Sequence, residues 1–366
     1  MPIFIPGQEL SRRFYREAVR PILEDRFPGL PHAAGLLGSG SDALGFDTEM
    51  STDHDWGPAV LLFLRDGDAH LGDAIRAAMS ERLPREFLGY PAGMRDAPDE
   101  PGTLVLGTAS DDGPQIHRVY PTTVREFAGH HLAIDIGRPL AAADWLSIPS
   151  QALRSVTAGA VHHDGVGELT ALRERLAWYP HDVWLYLLAS GWQRIGQEEH
   201  LMPRAGYVGD ELGSAIMGSR LARDVMSLGF LIERQYAPYP KWFGSAFAQL
   251  QCAPALTPPL WRAQVATQWP ERMAAIGEAY ELLARMQNGL GLAEPLDERT
   301  HSFFSRPFQV IGGGRFSEAL LARIADPEVR GIAARRPIGG VDQWSDSTDL
   351  RSWGGWRPRV RAFYEL

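Results

Sequence analysis

The chain has 366 residues, of which 45% are hydrophobic, 22% charged and 10% aromatic, and its formal net charge is −9 at pH 7. That is enough apolar material for a sizeable core and enough length for two domains or one large one, and it excludes the disordered class. A single cysteine, Cys252, excludes an intramolecular disulfide and a cysteine-ligated zinc site, and Lys and Arg are not clustered as a nucleic-acid partner would require.

The opening residues, MPIFIPGQELSRRF, hold too short an apolar run for a signal peptide, and the longest runs, such as AVLLFL, fall far short of a membrane span. The expectation is a soluble cytoplasmic protein with no membrane partner. ELSRRFYREAVRPILEDRF then reads as a helix on the spacing of Leu10, Phe14, Val19, Ile22 and Leu23, kinked or broken at Pro21. AAGLLG reads as a short strand ending at Gly38. DHDWGPAVLLFL, from Asp53, reads as a second strand, apolar on both faces in its later part and bulged at Gly57-Pro58. HLGDAIRAAMSERLPREF reads as a helix, residues 91–103 as a loop rich in Pro, Gly and Asp, and TLVLGTA and QIHRVYPTTV as strands joined by an SDDG turn. GAVHHDGVGELTAL supplies a last short strand.

Beyond about residue 168 the pattern becomes helical. PHDVWLYLLASGWQRIGQEEH, DELGSAIMGSRLARDVMSLGFLIERQY and PERMAAIGEAYELLARMQN are long helices, the second with Leu212, Ile216, Leu221, Val225, Leu228 and Ile232 on one stripe. The fold class predicted is α+β: a small mixed-sheet domain over 1–168, followed by an all-helical domain over 169–366.

The stretch LLGSGSDALGFDTEMSTDHDWG, residues 36–57, carries the chemistry. On a strand Asp53 and Asp55 share a face, about 6.6–6.8 Å apart along the chain, while His54 and Trp56 point the other way. Two carboxylates so placed resist joint ionisation unless a cation lies between them, and hard divalent ions such as Mg²⁺ prefer oxygen donors. The Gly38-Ser39-Gly40-Ser41 turn offers unobstructed backbone N–H groups of the kind that hold phosphate oxygens.

Leu37-Gly38-Ser39, thirteen residues and then Asp53-His54-Asp55-Trp56 resembles the signature of the polymerase-β nucleotidyltransferase superfamily. With its helical second half the chain looks like the small-molecule branch, the kanamycin-type aminoglycoside nucleotidyltransferases and their uncharacterised bacterial relatives. Strings such as GDELGS and APYPKWFG resemble one such uncharacterised group throughout. The resemblance implies two Mg²⁺ ions held by Asp53 and Asp55, with Gly38, Ser39, Gly40 and Ser41 on the triphosphate. It also implies a third carboxylate on a later strand. Here the chain departs from the pattern: QIHRVYPTTV carries His117 and no acid. Asp111, Asp112 and Asp135 lie near in sequence, so a neighbouring acid substitutes, or His117 is the base, or catalysis has been lost.

Three further places bear on this expectation. Asp210 and Glu211 open a long helix, as N-cap and first-turn acid, and alternatively supply the base for an acceptor hydroxyl; Arg204 lies just upstream as a nucleotide contact. Lys241, the only lysine beside 35 arginines, sits between Tyr239 and Trp242, as a triphosphate contact or as a surface lysine lying on rings. The pairs His130-His131 and His162-His163 do not chelate easily, because adjacent residues face apart; they read as loop or strand-end residues. IGGGRF, 311–316, lacks the lysine-serine of a P-loop.

The function expected from sequence is Mg²⁺-dependent transfer of a nucleoside monophosphate, AMP from ATP, onto a hydroxyl of a small molecule with release of pyrophosphate. The alternatives are a non-catalytic nucleotide sensor or interaction protein on the same fold, or an enzyme that AMPylates proteins. The partners expected are a nucleoside triphosphate and a small-molecule acceptor, with a homodimer left open.

Overall fold

The computed structural model describes residues 3–53, 56–97, 100–107 and 115–365; for residues 53, 96–97 and 100–104 it describes the backbone alone. The chain forms two compact units, one of residues 1–139 with 151–177, the other of 140–150 with 178–366. The first is a mixed α/β unit around a small sheet, and the second is largely helical.

The first unit has eight strands among the described residues: β1 (His32–Leu36), β2 (Ala59–Leu64), β3 (Glu86–Phe87), β4 (Tyr90–Pro91), β5 (Gly93–Ala97), β6 (Glu100–Leu106), β7 (Ile116–Thr123) and β8 (Ala160–Asp164). Strands β3 and β4 pair with each other, and the remaining six form one sheet in the order β6-β5-β7-β2-β1-β8. β2 runs parallel to β7 and antiparallel to β1, which places it at the centre. Its sequence, AVLLFL, suits that place, since both faces are covered. Val60, Leu62 and Leu64 join Leu10, Phe14 and Val19 from the N-terminal helices and Ile75 and Met79 from the Gly72–Arg82 helix. Phe63 meets Phe127 on the opposite face, ring centroids 5.3 Å apart. Each such side chain contributes about 1.5–3 kcal/mol on full burial.

The N-terminal helix has an α segment (Gly7–Phe14), a π segment (Tyr15–Val19) and a second α segment (Arg20–Arg26). The irregularity falls just before Pro21, which lacks the N–H an unbroken helix needs. Two expectations from sequence need correction. The described part of residues 91–103 is not a loop: Gly93–Ala97 and the residues from Glu100 onward lie in the antiparallel pair β5–β6. Pro101 is accommodated because β6 is the edge strand, where a missing donor costs no ladder bond. The second strand does not begin at Asp53. Residues Glu49–Asp53 form a 3-10 turn and β2 starts at Ala59, after Gly57-Pro58. Gly57 adopts φ +134°, and a Cβ there would lie 2.4 Å from Leu106 Cδ2, so the chain turns into the sheet only after this glycine.

In the second unit the His181–Glu198 helix is the central element. All ten residues from Val183 to Trp192 are buried, the pattern of a helix enclosed on every side. It crosses the Gly313–Leu321 helix so closely that a Cβ on Gly313 would lie 2.4 Å from Trp192 O. At this crossing Trp192 stacks on Phe316, with centroids 4.4 Å apart, and donates through Nε1 to Gln287 Oε1 at 3.0 Å. The Glu211–Ile232 helix packs against the His181–Glu198 helix, and the Trp269–Gly289 helix packs in turn on the Glu211–Ile232 helix. Among the described residues no helix is long and apolar enough to cross a membrane.

Candidate functional site

The sheet register decides what can meet. β1 pairs antiparallel with both β2 and β8, and β2 pairs in parallel with β7 from Ala59↔Arg118 onward. The C-terminal end of β1 and the N-terminal ends of β2, β7 and β8 therefore share one end of the sheet. The Gly38–Ser41 turn leaves β1 there, Asp53 closes its 3-10 turn six residues ahead of β2, and Arg118 enters β7 there. Asp55 lies outside the described residues, as do Asp111 and Asp112, and the Asp53 side chain is not described.

The turn is built by its glycines. Gly38 has φ +125°, a conformation that side chains resist, and its N–H donates to Ser155 O at 3.0 Å. That bond removes Gly38 from the set of N–H groups free for phosphate. Ser39 and Gly40 are exposed, and their N–H groups have no acceptor among the described residues. Ser41 begins the one-turn helix Ser41–Leu44.

Two residues not singled out from sequence sit beside this turn. Asp42 is 6% exposed; its Oδ1 accepts from Ala43 N–H at 2.8 Å, and its Oδ2 lies 3.9 Å from Arg118 Nη2. Burial pushes the Asp42 carboxyl above the usual range, partly opposed by Arg118. Arg118 also donates to Gly57 O at 3.5 Å. The signal for Asp42 was its position directly after the GSGS turn. Arg118 needed the β2–β7 register. Asp47 is spent structurally, since its Oδ2 accepts from Gly7 N–H at 2.6 Å and Trp56 Nε1 at 3.0 Å. Trp56 is buried, although it precedes β2 and the strand alternation expected from Asp53 does not apply there. His131 approaches Gly38, and burial lowers its imidazole to about 4, so it is neutral at pH 7.

His117 lies on β7, as expected, but both ring nitrogens are engaged. Nδ1 accepts from Val119 N–H at 3.1 Å, so the proton sits on Nε2, which donates to Arg76 O at 3.0 Å. Burial also lowers its pKa. This ring leaves no lone pair for a substrate proton. Asp135 accepts from Gly137 N–H at 2.8 Å and lies 3.6 Å from Arg125, whose partner Asp66 follows the C-terminal end of β2. It therefore belongs to the opposite end of the sheet from Gly38.

The remaining candidates lie in the helical unit. Asp210 caps the Glu211–Ile232 helix, accepting from Gly213 N–H at 2.7 Å. Glu211 accepts from Trp269 N–H at 3.0 Å and pairs with the buried Arg272 at 3.1 Å. Arg204 is exposed on the Leu201–Tyr207 helix. Lys241 is exposed on the Pro240–Phe247 helix, with Nζ 5.0 Å from the centroid of the Trp242 ring. The histidine pairs are placed more regularly than expected: His130-His131 within the Val124–Leu132 helix and His162-His163 within β8. The glycine-rich 311–316 segment is already filled from within. The Glu199 carboxylate accepts from the N–H groups of Ile311, Gly312 and Gly313 at 2.6, 3.2 and 3.0 Å, occupying a helix N-terminus as a bound anion would. Among the described residues no group of three or more His, Cys, Asp or Glu is placed to hold a metal ion.

Residues 145–243 match the family model described as a domain of unknown function (DUF4037). No curated protein matches the chain. The chain is distantly similar to the crystal structure of a nucleotidyltransferase-like protein from Exiguobacterium sibiricum 255-15. The two are 12% identical over 75% of this chain and 76% of that one, with a TM-score of 0.31.

Proposed function

We propose that the chain is a Mg²⁺-dependent nucleotidyltransferase that moves AMP from ATP onto a hydroxyl of a small molecule. The observation that carries this is the meeting, at one end of one sheet, of the Gly38–Ser41 turn, the Asp53 segment and the Asp42–Arg118 pair. Ser39 and Gly40 present N–H groups to the β and γ phosphates, and Ser41 lies at the start of the following helix. Arg118, held by Asp42, adds a guanidinium with the fork geometry that suits phosphate oxygens. The donor set suits Mg²⁺, since Asp53 and Asp55 offer oxygen alone. Two ions held there would neutralise the triphosphate and the leaving pyrophosphate. The acceptor hydroxyl attacks the α-phosphorus and pyrophosphate leaves.

A test is incubation with labelled ATP, GTP, CTP and UTP, Mg²⁺ and a metabolite extract, with pyrophosphate release as the readout. The expected result is Mg²⁺-dependent release, highest with ATP and abolished by Asp53→Asn and by Asp55→Asn. Release that survives both substitutions sinks the assignment. Label retained on protein in place of a small molecule identifies an AMPylating enzyme.

The engagement of His117 favours a second reading, a nucleotide sensor on the same fold. It predicts ATP binding without turnover. A protein that binds no Mg-nucleotide, by thermal shift, fits neither.

A further inference from the structure

The helical unit contains a cavity of about 610 Å³ that no part of the nucleotide reading uses. One side is aromatic: Trp145, Trp178, Tyr179, Tyr236 and Phe243 line it. Trp178 and Tyr236 lie 4.8 Å apart at a 34° tilt, and Tyr179 meets Tyr236 edge-on at 5.1 Å. Such a wall presents flat, rigid faces to a planar guest.

The other side carries four guanidinium groups, each beside one carboxylate, Arg220 pairing with Glu198 at 2.6 Å. Four arginines line it, Arg194, Arg220, Arg223 and Arg351, against three aspartates. The aspartates are committed. Asp224 gives both oxygens to Arg194 at 3.1 and 3.3 Å. Asp342 accepts from Ser150 N–H at 2.6 Å and lies 3.6 Å from Arg351, and Asp346 pairs with Arg223. Each guanidinium has five N–H donors and no acceptor, more than its one carboxylate partner can engage. Two donors of the lining residues, one on each side, lack a partner. Arg351 Nε and Trp178 Nε1 are shut from water with no hydrogen-bond partner, and the Arg351 side chain is only 7% exposed. Buried donors without acceptors are rare in folded proteins. The stretch that matches the family model begins and ends on the aromatic side of the cavity, at Trp145 and Phe243.

We infer that this cavity is a binding site for a small organic anion with a planar apolar body, its ring against the tryptophan and tyrosine wall and its acidic group among the arginines. The site lies wholly within the helical unit and stands whether or not the chain transfers nucleotides. The probe is 8-anilinonaphthalene-1-sulfonate, followed by its own fluorescence, with the uncharged N-phenyl-1-naphthylamine as its comparator. The expected result is saturable one-to-one binding of the sulfonate, at least tenfold tighter than that of the comparator. Ala237→Trp, which fills the cavity and removes no polar group, and Arg351→Met each weaken it tenfold or more. Arg351→Met leaves the comparator unchanged. Circular dichroism and a thermal melt verify that both variants fold, and the two-probe comparison on the unaltered chain needs neither. Equal affinity for the two probes, non-saturable binding, or sulfonate affinity unchanged in folded Ala237→Trp would overturn the inference.

Discussion

Asp210 and Glu211 are adjacent, acidic and at the head of a helix, and each has a structural task. A side-chain oxygen at the N-cap satisfies a backbone N–H that the helix itself cannot, and Asp210 does this for Gly213. Asp210→Ala is expected to cost about 1 kcal/mol in a urea melt while leaving any pyrophosphate release intact; a loss of turnover without a loss of stability would instead make it a base. Glu211 is harder to replace. Its partner Arg272 is 2% exposed and also donates to Ser214 Oγ at 2.7 Å and Ala266 O at 2.6 Å. Removing the carboxylate leaves a buried guanidinium without its counter-charge. At this scale the Gly-Ser turn and the aspartate couple could be singled out from the sequence because those signals are local. The sequence did not mark Asp42 and Arg118, which are 76 positions apart and become neighbours only through the β2–β7 register.

Among the elements, the Glu211–Ile232 helix shows what hydrophobic periodicity can and cannot tell. Leu221, Val225, Leu228 and Ile232 are buried as the stripe predicts, but Leu212 is 73% and Ile216 56% exposed. The packed face continues instead through Ser214 and Gly218, where a Cβ on Gly218 would lie 2.6 Å from Arg272 Cδ. Small residues let the neighbouring Trp269–Gly289 helix come close, and a reading that seeks large apolar side chains passes over them. Leu212→Glu is therefore expected to change stability by no more than about 0.5 kcal/mol, whereas Leu221→Ala costs about 2–5 kcal/mol. Chemical denaturation of the two variants separates them. Strand β5 and the start of β6 were hidden for a different reason, while TLVLGTA was read as a strand and supplies the end of β6. Their prolines, glycines and aspartates are loop residues by frequency, and only the pairing with β7 reveals the strand.

For the molecule as a whole, the buried histidines set a pH dependence. Burial lowers His131 and His162 to about 4, while the unfolded chain titrates near its ordinary 6.5. Between those values the unfolded chain binds protons that the native state refuses. The stability these residues contribute is complete above about pH 6.5 and is lost as pH falls toward 4, by a few kcal/mol for the two together. Asp42, Glu199 and Asp224, raised by burial, act in the opposite sense, so the clean measurement is a difference. His162→Gln is expected to show a shallower fall of melting temperature between pH 7 and 5 than the unaltered chain, and an identical slope would contradict the assignment.

The path of the chain through the two units has a consequence for biosynthesis. Residues 140–150 emerge from the ribosome ahead of β8, yet belong to the unit whose other residues, 178–366, all follow it. There Asp144 awaits Arg361 and Ser147 awaits Arg357, more than two hundred residues downstream. Neither unit is encoded as one uninterrupted block, so no single cut in the gene yields both intact, and the nascent segment gains these two partners only after the long helices between have been made.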